Sequence, residues 1–216
     1  MIRKNKKVIL IGALVMLIPV LAGLILWNRL PDTIATHWNA AGEPDGFSGK
    51  AFTVFGLNGI MYALYAICIF GTAADPKKEN ISAKNFSLVI SIIPAVSLFA
   101  NSVTFAAALG KNPDVPFFSK LLIVVVLLIL GNYMPKMRQS YTLGIKLPWT
   151  LSSEDNWNRT HRFTGKIWML FGLVLLADVF FGFLRSWMYP ALLIVMILIP
   201  MAYSYLYYKK KENSEK

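Results

Sequence analysis

Six apolar runs, each long enough or nearly long enough to cross a bilayer, constrain this chain more than any motif in it. They cover residues 8–27, 51–71, 86–109, 117–134, 167–184 and 187–207. A helix needs about 20 predominantly apolar residues to span the hydrocarbon core. Hydrophobic residues make up 56% of the 216 and charged residues 15%. Soluble domains average about 45–50% and about 25%. The expectation is an all-α polytopic membrane protein with six transmembrane helices. The fourth run has the shortest clean apolar core, 121–130, and Lys120 before it should snorkel toward the headgroups. The first run follows Arg3, Lys4, Lys6 and Lys7. It is too long for a signal-peptide core and ends without a small-x-small cleavage site, so it reads as a retained anchor.

The basic residues set the expected orientation. If the N-terminus is cytoplasmic, the inner segments hold Arg3, Lys4, Lys6 and Lys7, then Lys77, Lys78 and Lys84. They also hold Lys136, Arg138, Lys146, Arg159, Arg162 and Lys166, then Lys209, Lys210, Lys211 and Lys216. That is 17 of the 22 Lys and Arg, with Arg29, Lys50, Lys111, Lys120 and Arg185 left outside. The split follows the positive-inside rule and places both termini in the cytoplasm. It also accounts for the net charge of +11. Basic ends face anionic lipid, and charge scattered over four segments does not suit direct nucleic-acid binding. No linker divides the chain, so residues 1–216 are expected to form a single membrane domain, with an extracellular loop at 28–50 and a cytoplasmic loop at 131–166. Cys68 lies inside the second run and reads as a small buried apolar residue.

Polar residues inside the runs need partners. Ser87, Ser91, Ser97, Asn101 and Thr104 recur at helical spacing around Pro94, which should turn one face of the third helix inward. Such a face serves helix–helix adhesion or lines a polar path. Asp178 is the one acid inside a span, and a charge there costs at least about 2.5–3.5 kcal/mol. Arg185, seven residues on, and Asn58 and Asn101 from other helices are its candidate partners. Intramembrane ionisable groups mark ion or substrate pathways often enough that a transporter or channel is a second functional reading.

Two loops carry the remaining chemistry. The first, 30–50, holds Asp32, His37, Asn39, Glu43 and Asp45, with turn chemistry at Pro44-Asp45-Gly46. These side chains are candidate contacts for an extracellular ligand. Their spacing matches no zinc pattern, so no metal is expected. The second, 131–166, packs Pro, Gly, Trp and six Lys or Arg between apolar runs. Ser152 should cap a new helix with Asp155 in its third position. Trp157, Thr160, His161 and Thr164 then share one side of that helix as it feeds the fifth span. His161 has no fixed acid or nucleophile beside it in sequence. No Ser-His-Asp set, HExxH helix or phosphate loop is present, so neither enzymatic activity nor a cofactor is expected; a membrane-embedded enzyme is the third reading.

The second loop resembles the SdpI family of bacterial membrane proteins. Gly131, Asn132, Pro135, Lys136, Gly144, Ile145, Pro148, Trp149, Thr150, Leu151, Trp157, Thr160, His161 and Arg162 carry the resemblance. The first loop is similar to the N-terminal domain of unknown function that accompanies that family, through Leu30, Pro31, Asp32, Ile34, Thr36, His37, Asn39, Gly42, Asp45 and Lys50. Ser140 and Lys146 depart from the family pattern, in which Asn and Arg are common. The resemblance implies a multi-pass bacterial plasma-membrane protein of toxin immunity. Its partners would be the bilayer, a secreted peptide toxin and a cytoplasmic winged-helix repressor held at the membrane. It implies docking or signalling roles for Asn132, Pro135, Lys136, Lys146, Pro148, Trp149, Trp157, Thr160, His161 and Arg162. Asn58, Ser91, Ser97, Asn101 and Asp178 remain the intramembrane polar candidates.

Overall fold

A computed structural model of the chain describes residues 1–214. Helices α1 (Lys6–Ile25), α2 (Leu57–Ala73), α3 (Ala83–Ala108) and α4 (Val115–Tyr133) come first. A short helix α5 (Pro148–Ser152) follows, then two long ones, α6 (Glu154–Phe181) and α7 (Met188–Ser214). All except α5 belong to the six segments long and apolar enough to span a membrane. Each predicted run therefore has its helix. The largest shift is in α6, which starts thirteen residues before the apolar run because its first half is polar and still helical. Residue contacts group the chain into two compact units, Met1–Ala73 with Phe86–Ser119, and Ala74–Asn85 with Lys120–Lys216. The sequence suggested one membrane domain.

Among the described residues, the strands lie in the first unit. Strands β1 (Thr33–Trp38) and β2 (Pro44–Gly49) form a two-stranded antiparallel hairpin between α1 and α2. The chain reverses at residues 39–43, with Trp38 paired to Pro44, so Pro44-Asp45-Gly46 lies in a strand and not in the turn. Asn39 makes the turn. Its Oδ1 accepts the backbone N–H groups of Ala41 (2.9 Å) and Glu43 (3.0 Å), and Gly42 takes the positive φ of 84° that closes it. Ile34 anchors the hairpin. It is 1% exposed and packs with Leu30, Val54 and Phe105, with Ala22, Leu26 and Ala108 around them.

Helices α1, α2 and α3 of this unit are tied by polar groups as well as by packing. The Tyr62 hydroxyl donates to the Ala13 carbonyl (2.7 Å), and that of Tyr65 to Ile9 (3.1 Å). Asn58 of α2 and Asn101 of α3 exchange carboxamide hydrogen bonds of 3.2 and 3.1 Å. Asn58 Nδ2 also donates to the Val54 carbonyl, and its Oδ1 accepts Ser97 Oγ at 3.5 Å. Asn101 Nδ2 reaches the Ser97 carbonyl at 2.8 Å. The expected polar face of α3 therefore exists at Ser97 and Asn101. Ser91 does not belong to it: the residue is exposed and its hydroxyl returns to the Ser87 carbonyl one turn back. Its spacing is right for the stripe, but a serine can satisfy itself on its own helix.

In the second unit α4, α6 and α7 share a core around Val124, Leu175 and Tyr189. Gly165 lets α6 come close to the end of α4. A Cβ there would stand 2.8 Å from the Gly131 carbonyl oxygen and from Pro135. Removing one member of the Asn58–Asn101 pair strands the other carboxamide in an apolar interior. Asn58→Leu or Asn101→Leu should each cost about 1–2 kcal/mol in detergent unfolding. The double variant should cost less than the sum of the two. A strictly additive double-mutant cycle would show that the pair is not coupled.

Candidate functional site

The segment from the end of α4 to the first turns of α6 has little regular structure, so side chains must satisfy its backbone. Asp75, just beyond α2, does most of this. Its Oδ1 accepts the Lys77 N–H (2.7 Å) in an Asx turn. Its Oδ2 accepts three donors: the N–H groups of Tyr141 and Thr142 (both 2.9 Å) and the Thr142 hydroxyl (2.6 Å). Burial alone would raise the pKa of this carboxylate. The hydrogen bonds from Thr142 and from the backbone of Lys77, Tyr141 and Thr142 outweigh it and lower the pKa below its ordinary 3.8. Gln139 is a second anchor. Its Nε2 donates to the carbonyls of Thr150 (2.8 Å) and Leu151 (2.9 Å), and its Oε1 accepts Lys77 Nζ. Asn80 and Asn85 donate to the carbonyls of Gln139 (2.9 Å) and Lys136 (3.0 Å).

The buried face of α6 closes the site from below. Trp157 is fully buried and donates its Nε1–H to the Met137 carbonyl at 2.8 Å. His161 stacks on it, with ring centroids 4.0 Å apart. His161 Nε2 accepts the Ile145 N–H at 3.0 Å, which leaves the ring proton on Nδ1, donating to the Trp157 carbonyl at 2.8 Å. The histidine thus spends both nitrogens on backbone. Gly144 runs over this stack with φ +107°, and a Cβ there would come within 2.8 Å of the Trp157 ring and into the His161 ring. Thr160 and Asn156 bond to each other (2.9 Å), and Asn156 donates to the Ser204 carbonyl of α7 (3.1 Å).

The ten residues expected to dock a partner fall into three groups. Trp157, Thr160 and His161 are at most 1% exposed and serve as structural supports; they cannot touch a partner. Asn132, Pro135, Lys136, Lys146, Pro148 and Arg162 are exposed. Trp149 is half-buried: it donates to Ser204 Oγ (2.6 Å) and packs its ring against Tyr205 and Tyr208. The helical spacing that placed Trp157, His161 and Thr164 on one face was correct, but that face turns inward. The helix cap is Ser153, one residue later than expected, because Ser152 still belongs to α5. Asp75, Gln139, Asn80 and Asn156 were missed. Only Asp75 carried a local signal, the Asp-Pro pair that opens a turn.

At the opposite end of α6, Asp178 is also fully bonded. Its Oδ1 accepts the Leu184 N–H and its Oδ2 the Tyr189 hydroxyl, both at 2.5 Å, with Lys120 Nζ 3.5 Å away. Arg185, Asn58 and Asn101 are not its partners. The helix ends at Phe181, and Gly182 takes a left-handed conformation, so Arg185 does not lie two helical turns along the same face. Lys120 Nζ faces this carboxylate, where its charge offsets the cost of burying another.

The five contact candidates of the first loop all lie on or beside the hairpin, paired with one another or with its flank. His37 bonds Asp45 (2.5 Å), Asn39 bonds Glu43 (3.0 Å), and Asp32 pairs with Lys50 (3.0 Å). Beside them lies a pocket of about 450 Å³ that the sequence did not reveal. It is lined by β1, by Trp38 and Phe47, and by residues 107–115 where α3 passes into α4.

Residues 136–204 match the SdpI/YfhL protein family, and residues 14–62 match Domain of unknown function (DUF1648). The chain is 26% identical over 210 residues to Immunity protein SdpI of Bacillus subtilis (strain 168), covering 95% of this chain and 98% of that protein. No solved structure matches it. These matches and the six apolar helices make it a multi-pass bacterial membrane protein.

Asp75→Asn keeps the shape but puts a donor where acceptors are needed. It should cost about 1–3 kcal/mol at neutral pH in the detergent-solubilised protein. Because the folded pKa lies below the unfolded one, this contribution is present above pH 3.8 and lost as pH falls through the folded value. The gap between wild type and variant should therefore close only below pH 3.8; a gap that narrows between pH 7 and 5 would assign it to another group.

Proposed function

The chain joins a DUF1648 segment to an SdpI-family segment, and from that pairing we propose that it is an immunity and sensor protein of the bacterial plasma membrane. The observation that carries this reading is similarity over nearly its whole length to a protein named for immunity. In this reading the hairpin faces outward, toward a secreted antimicrobial peptide, and the segment after α4 faces the cytoplasm. The 17 to 5 division of basic residues supports that orientation. The exposed Lys136, Arg138, Lys146 and Arg162 would meet a cytoplasmic winged-helix repressor, on a scaffold fixed by Asp75, Gln139 and Trp157. A rigid, preformed surface of this kind lowers the ordering cost of binding.

The transport reading gains less. Asn58, Ser97 and Asn101 spend their polar groups on each other and on backbone, and Asp178 on Tyr189, Leu184 and Lys120. Such closed sets suit adhesion better than a conduction path.

Two measurements test the proposal. Expressed in a sensitive host, the chain should raise survival in spent medium from the strain that carries it, and no gain at confirmed membrane expression would sink the immunity reading. In a Cys68→Ser background, a cysteine at Ala40 should react with a membrane-impermeant maleimide in intact cells, and one at Arg162 only after lysis. The reverse pattern would overturn the orientation.

A further inference from the structure

Tyr133 closes α4, and two lysines meet on its ring. Lys84 Nζ stands 5.6 Å from the ring centroid and Lys136 Nζ 4.7 Å. The backbone brings them there. Asn85, next to Lys84 and 5% exposed, donates to the Lys136 carbonyl at 3.0 Å, and the tight turn Met134–Lys136 continues directly from Tyr133. Among the described residues neither ammonium has a hydrogen bond or an ion pair; the lysines that meet a carboxylate are Lys50 and Lys120. The ring attracts each ammonium but neutralises neither. Lys84 is also the second residue of α3, where the helix dipole favours anions and opposes cations. Two like charges on one ring, one of them at the wrong end of a helix, are destabilising unless an anion joins them.

Their depth names the anion. Lys84 and Lys136 are the second residue of one spanning segment, Ala83–Ala108, and the last residue of another, Val115–Lys136. Both stand where a span leaves the hydrocarbon, at the level of the lipid phosphates, and Tyr133 beside them is an interfacial ring. We propose that Lys84, Tyr133 and Lys136 bind the headgroup of one anionic phospholipid, with its phosphate shared between the two ammonium groups. A zwitterionic headgroup fits less well, because its own ammonium competes for the phosphate and leaves the pair of lysines uncompensated. The bound lipid would tie the start of α3 to the end of α4, where the cytoplasmic segment begins. The inference goes beyond the immunity reading and does not rest on it. Of the basic surface offered there to a repressor, Lys136 is the member at the membrane border; Arg138, Lys146 and Arg162 are unaffected.

The test titrates the purified full chain in detergent with dioleoyl-phosphatidylglycerol, dioleoyl-phosphatidylcholine or inorganic phosphate, and counts bound lipid by native mass spectrometry. The first phosphatidylglycerol should bind about twentyfold more tightly than the first phosphatidylcholine, each lysine contributing about fivefold. Lys84→Gln and Lys136→Gln should each lose about fivefold of that preference, and the double variant all of it. The double Lys→Arg variant should keep it. The pair Lys78→Gln and Lys209→Gln removes the same charge from exposed lysines away from this ring, and should change the preference by less than about twofold. Equal loss in the two Gln pairs would make the attraction diffuse and overturn the proposal. Phosphatidylcholine binding as tightly as phosphatidylglycerol would overturn it too. Inorganic phosphate displacing phosphatidylglycerol at equal concentration would remove lipid as the occupant.

Discussion

Hydrocarbon offers no hydrogen bonds, and that constraint shapes this protein more than any single contact. A polar group left unpaired there costs several kcal/mol. Backbone groups meet the requirement by forming helices. Side chains meet it case by case, and among the described residues no buried side-chain nitrogen or oxygen lacks a partner. The carboxamides of Asn58 and Asn101 face each other. Asp178 gathers an N–H, a hydroxyl and an ammonium. Asn58, Asn101 and Asp178 thereby become joints between helices.

The same accounting governs the segment between α4 and α6, for a different reason. It has no ladder of its own, so its carbonyls and N–H groups turn to side chains. Asp75 holds residues 141 and 142, Gln139 holds 150 and 151, Trp157 holds 137 and His161 holds 145. Such a segment is fully bonded at these points without being regular. Trp157 and His161 are consumed in building it, while lysine, arginine and proline side chains stand on its surface. His161, which has no catalytic partner in the sequence, is here a backbone ligand.

Much of this was legible from residues alone. The six spans were, because hydropathy over a bilayer length is a strong signal and each run acts on its own. The inward face of α6 was legible as a face through the spacing of Trp157, Thr160, His161 and Thr164, but not as buried: periodicity gives sidedness and not what lies opposite. The two strands of the first loop were not expected, and its turn lies a few residues from Pro44-Asp45-Gly46, because Asn39 captures two backbone N–H groups with its carboxamide. Partners distant in sequence, such as Asp75 with Thr142 or Lys120 with Asp178, had no signal at all.

By itself, then, the sequence determined the class of protein, the number of helices and the charge bias between segments. These follow from composition and local pattern, which each segment carries alone. Tertiary structure decided which polar groups face which, that Trp157 and His161 are internal, and that the hairpin and the residues after α3 enclose a pocket. Those are properties of pairs of segments brought together by folding, and a hydrogen bond or a cavity exists only where the two meet.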